Sequence, residues 1–179
     1  MAAEKSETDS TMATVPEGTY IPLYTVDKTP RKVETFSLDV CSVTKREFLD
    51  FVLKNPRWQR SNIASLFADK SYLSDWKNDT DPGPDLDSPV TYVSWFAARA
   101  YAKEKGKRLP AVDEGGYVAQ ADATKANATE DPSYTGNILN WYAARPVSPL
   151  PTPRSLPKNF YGVRALHGLI WEWNEDFNN

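Results

Sequence analysis

The 179-residue chain, 40% hydrophobic and 25% charged, suits one globular domain with a substantial core and calls for no second. A net charge of −3 with scattered Lys and Arg gives no electrostatic basis for binding nucleic acid or an anionic membrane, and no apolar run approaches the ~20 residues that span a bilayer. Fourteen prolines, six tryptophans and nine tyrosines point to a loop-rich fold whose large rings fill irregular spaces.

The first ten residues, Met1 to Ser10, are polar and lack the apolar centre of a signal peptide. Residues 1–14 are read as a disordered tail and 15–179 as the folded domain. A turn at Glu17-Gly18 opens a strand that runs toward Tyr24, with Pro22 marking an edge or bulge. Lys32 to Val40 alternates and reads as a second strand, with Cys41, the single cysteine, at its end. One thiol allows no intrachain disulfide and no multi-thiolate metal site, and Cys41 reads as a small buried thiol.

Thr44-Lys-Arg-Glu47 is a capping box, and the helix it starts places Phe48, Phe51 and Val52 on one stripe before Asn55-Pro56 ends it. Residues 57–88 are polar and turn-rich. Their acidic run of Asp79, Asp81, Asp85 and Asp87 lacks calcium-loop spacing and reads as a solvated loop, which Trp58 and Trp76 would pin to the core. Ser94 caps a helix from Trp95 to Lys105, stopped by Gly106, with Trp95, Ala98, Tyr101 and Ala102 spaced for a buried face. A third helix should be weak, because Ala111 has no side chain to cap it and Gly115-Gly116 cost about 1 kcal/mol each in propensity. Residues 120–160, with six prolines, read as an ordered loop. Asn78-Asp-Thr80 and Asn127-Ala-Thr129 match the glycosylation pattern.

The last stretch, Tyr161 to Phe177, concentrates two tryptophans, the only histidine and three acids. Leu169 to Trp173 reads as a short buried strand that holds Glu172 among large rings. Such a carboxylate is either a metal ligand or a structural hydrogen-bond acceptor, since desolvation must be offset. His167 reads as a structural, hydrogen-bonded group rather than a catalytic one.

Tyr161-Gly-Val-Arg-Ala-Leu-His-Gly-Leu-Ile-Trp-Glu-Trp173 resembles the Tyr-Gly-Leu-x-Asp-Met-His-Gly-Asn-Val-Trp-Glu-Trp signature of the formylglycine-generating enzyme family, the sulfatase-modifying-factor domain. Pro89-Val-Thr-Tyr-Val-Ser-Trp95, Gly106-Lys-Arg-Leu-Pro110 with Glu114 and Tyr117, and the weaker Phe36 to Thr44 block follow the same family in order. The resemblance implies an α+β, C-type-lectin-like fold with little regular structure, often stabilised by calcium.

Of the family's calcium ligands, Asn137 and the Ile138 carbonyl carry over for one site and Glu172 for the other. The Asp-Gly-Phe half of the first site has no counterpart, and Leu169 replaces the asparagine of the second, which weakens both. The family's conversion of a substrate cysteine to formylglycine uses copper held by two cysteines in a block that would follow Asn179, and Cys41 matches neither. The expected chain is therefore one truncated before the family's C-terminal strands. Two functions follow: a non-catalytic binding or maturation domain for a periplasmic or secreted protein or peptide partner, or a truncated copper-dependent oxidase. The departures at Ala111, Gly115, Gly116 and Leu169 favour the first.

Overall fold

The computed structural model describes residues 11–23, 26, 28–145 and 147–176. Residues 1–10 of the expected tail lie outside them, but β1 (Met12–Val15) begins three residues before the domain boundary set at 15. It pairs antiparallel with β4 (Phe36–Asp39), while β2 (Gly18–Tyr20) pairs with β3 (Arg31–Val33). The registers Val15↔Phe36 and Gly18↔Val33 make the two pairs successive parts of one hairpin. Pro16 has no N–H to extend the ladder through the break, and the Glu17 amide donates to Thr35 Oγ1 instead, at 3.0 Å. The single expected strand from Lys32 to Val40 is accordingly split in two.

The capping box forms as read. Thr44 and Glu47 exchange both bonds at the start of α1 (Lys45–Lys54), which buries Phe48, Phe51 and Val52. These three pack with Trp58, Tyr72, Leu73, Trp76, Val90 and Ala97 into the first of two cores, so both tryptophans do pin the intervening loop. Several acids of that loop have partners. Asp79 accepts from Ser61, Asp87 pairs with Arg46, and the half-buried Lys45 ammonium lies 2.9 Å from Asp75 and donates to the Pro82 carbonyl.

Ser94 caps α2 (Trp95–Glu104). Gly106, at φ +69°, ends it: the Gly106 amide donates to Lys103 and the Lys107 amide to Ala102, the paired bonds of a Schellman stop. The fully buried positions are Ala97 and Ala102, one residue off the expected stripe at its start.

Against the hairpin, α3 (Val112–Ala119) contributes Val118 to the second core, with Val15, Tyr20, Val33, Phe36 and Val163. Its glycines have a packing reason. A Cβ on Gly116 would meet the Tyr20 ring at 3.0 Å, and one on Gly115 would lie 3.2 Å from Asn174 Oδ1.

The region read as a loop over 120–160 contains α4 (Pro132–Ala143), a 12-residue helix capped by Asp131 with proline in its first turn. It buries no residue fully, so no apolar stripe marks it in the sequence. Near its end Trp141 and Tyr142 form a three-ring cluster with Trp171. The whole is a loop-rich α+β fold with four helices and two small sheets among the described residues.

Candidate functional site

The terminal stretch is not the buried strand expected. A turn at Leu166–Leu169, with Gly168 at φ +90°, gives way to extended backbone that joins no sheet. From Leu169 to Trp173 only Leu169 is buried; Trp171 is 76% exposed and Trp173 39% exposed. The segment is held by long-range polar bonds instead. The Trp173 indole donates to the Val93 carbonyl at 2.8 Å, and the Trp95 indole donates to Asn174 at 2.9 Å. Arg99 pairs with Glu175, and the Glu175 amide donates to Pro110. Asp176 Oδ1 accepts from the Val112 amide at 2.8 Å, supplying to α3 the cap that Ala111 lacks.

Glu172 is exposed rather than sealed among rings. Protein crowded around its carboxyl, together with the charge of Asp39, pushes its pKa up, to about 7. Asp39 is itself paired with Lys107 at 2.6 Å.

Asn137 and Ile138 lie inside α4, where helical geometry directs the Ile138 carbonyl along the axis toward the Tyr142 amide. That backbone does not present the pair as two convergent oxygens, so these residues do not fit a calcium site as arranged. The described residues contain no cluster of three His, Cys, Asp or Glu. Cys41 is half-buried rather than buried, and one thiol does not fit a two-cysteine copper site. His167 Nε2 lies 2.8 Å from the Ala119 carbonyl and 3.2 Å from the Tyr134 hydroxyl, joining α3, α4 and the terminal turn.

A concave surface lies at the start of α2. Leu66, Phe67, Tyr72, Tyr92, Phe96 and Trp173 line a groove of about 430 Å³, with Asp69 at its edge. Volumes of this order hold a ligand or a peptide side chain. Tyr92 is 55% exposed and sits at φ +57°, a left-handed conformation that costs a non-glycine residue free energy. Its carbonyl accepts from the amide of Leu73, which is also left-handed at φ +47° and fully buried. The left-handed backbone at Tyr92 is therefore tied to the first core through Leu73. Sequence reasoning missed this site because it joins three segments distant in the chain; Leu66-Phe67 in an otherwise polar loop was the available signal.

The Sulfatase-modifying factor enzyme 1-like domain matches residues 1–179. The chain is 26% identical over 184 residues to the Inactive C-alpha-formylglycine-generating enzyme 2 of Bos taurus, covering 79% of this chain and 60% of that protein. It is also similar to the Formylglycine-generating enzyme of Mycobacterium tuberculosis, 31% identical over 107 residues, with coverage of 53% and 36%. The Hercynine oxygenase of the same organism is 29% identical over 174 residues, with coverage of 85% and 39%. The chain thus spans 60% or less of the length of each of these relatives.

Proposed function

Because the chain belongs to the sulfatase-modifying factor enzyme 1-like domain family, we propose that it acts as a non-catalytic binding or maturation domain that holds a protein partner outside the cytoplasm through the α2 groove. The observation that carries this reading is the open aromatic groove beside the start of α2. The groove offers surface for recognition. Similarity to a protein named as an inactive formylglycine-generating enzyme supports the same side. The extracytoplasmic setting rests on the family resemblance alone.

Two measurements test the proposal together. A photo-crosslinking residue at Leu66, introduced in the native host, should give a discrete protein adduct. The same residue at Glu130, which lines a separate polar pocket, should not give that adduct. Purified chain given copper, oxygen and a cysteine-containing peptide should leave the peptide mass unchanged. Conversion of that cysteine to an aldehyde would overturn the non-catalytic reading, and equal crosslinking at both positions would overturn the placement of the groove.

A further inference from the structure

Helix α4 carries two features that contacts within one copy of the chain leave unexplained. From Pro132 to Ala144 no residue is charged, although no residue of α4 is fully buried. The outward side of a helix is ordinarily polar or charged. Here Leu139 is 61% exposed and Tyr142 46%, and Trp171, itself 76% exposed, holds its ring 5.3 Å from that of Tyr142. By helical spacing Gly136, Leu139 and Ala143 fall on one side of α4, with Tyr142 beside them.

The second feature is Gly136. Glycine in a helix interior is unfavourable. In α3 the glycines are explained by the side chains that a Cβ would press upon, whereas nothing stands within 4 Å of where a Cβ on Gly136 would lie. A close approach from outside the chain would explain it.

Charge is confined to the two ends. Glu130 precedes α4 and Arg145 follows it, and both are exposed. Asp131 is already engaged with Ser133 and Lys125, but among the described residues neither Glu130 nor Arg145 has an ion-pair partner. A helix acidic at its start and basic at its end is complementary to a second copy lying antiparallel, and repels one lying parallel. The register that sets Arg145 against Glu130 also sets Leu139 against Gly136, because the two pairs share one midpoint in α4. The exposed leucine then meets the glycine that has open space above it.

We propose that two copies of this chain pair through α4, antiparallel about a two-fold axis near the middle of the helix. Leu139 of each copy packs on Gly136 of the other, Arg145 of each lies beside Glu130 of the other, and Tyr142 with Trp171 covers the flank. The α2 groove is lined by other residues, so the pairing does not depend on what that groove holds.

Sedimentation equilibrium of the full chain at low ionic strength, loaded from about 1 to about 200 µM, tests the proposal. The mass should climb from 20.1 kDa toward twice that value. Gly136→Leu fills space that is empty in one copy, so the variant should fold as well as the parent while associating at least tenfold more weakly. Arg145→Glu and Glu130→Arg should each weaken association at least tenfold, and the two together should restore it to within about threefold of the parent, since only facing charges can be exchanged in this way. A mass of 20.1 kDa throughout the range would overturn a second copy as the occupant of this face. Association that survives Gly136→Leu would overturn its placement on α4. Single charge variants that stay monomeric without rescue in the double variant would overturn the antiparallel register.

Discussion

Glu172 is pressed by its crowded surroundings and by Asp39 toward the protonated form, with a folded pKa of about 7. Its folded value stands above the unfolded one of roughly 4.3, so its contribution to stability is full below the unfolded pKa and is lost as pH rises through the folded one. Glu172→Gln mimics the protonated side chain. It should unfold at higher urea than the parent at pH 8 and match it at pH 4, with a difference of at most about 1 kcal/mol because water reaches the group. Urea melts of both proteins at the two pH values check this. The sequence did single Glu172 out, on sound grounds, since a carboxylate between two tryptophans must be stabilised somehow. It did not show that the two rings part company: Trp173 turns its indole to the Val93 carbonyl and Trp171 packs on Trp141 and Tyr142, while Glu172 between them is exposed.

Helices with local signals were legible and those without were not. The Thr44–Glu47 box and the stripe of Phe48, Phe51 and Val52 lie within one short segment, and α1 follows them. By contrast, α4 carries a sound start in Asp131-Pro132 but buries no residue fully, so periodicity gave it no support. The third helix was judged weak because Ala111 cannot cap it. The cap comes from Asp176, 64 residues away, a long-range partner that no local rule could supply. Asp176→Ala, which removes the acceptor of the Val112 amide, should destabilise the fold by about 1 kcal/mol, and Asp176→Asn, which keeps an oxygen there, should lose much less. Equilibrium denaturation of both variants beside the parent decides the point. Equal losses in the two would mean that the charge of Asp176, rather than the hydrogen bond, steadies the start of α3.

At the scale of the whole molecule, two separate cores are bridged by a length of backbone that joins no sheet. Trp173 and Asn174 bond to Val93 and Trp95 beside the first core, and Asp176 bonds to Val112, where the helix of the second core begins. Ending the chain after Glu172 should therefore lower the melting temperature and expose amides of both α2 and α3 to hydrogen exchange, while α1, buried through its own stripe, stays protected. Loss of protection confined to α3 would show that the bridge serves one core only. The groove belongs to the same scale: its walls come from residues 65–72, 92–96 and 173, and sequence patterns report neighbours along the chain, not three segments brought together.

The cluster of Trp141, Tyr142 and Trp171 gives the molecule its own optical reporter. The two indole rings lie 5.9 Å apart and tilted by 46°, a chiral arrangement in which their ultraviolet transitions couple and split into bands of opposite sign. One of those rings rides on α4 and the other on the terminal stretch, so the split persists only while the two segments remain docked. Circular dichroism then reads that junction directly, without a label and without waiting for the rest of the chain to unfold.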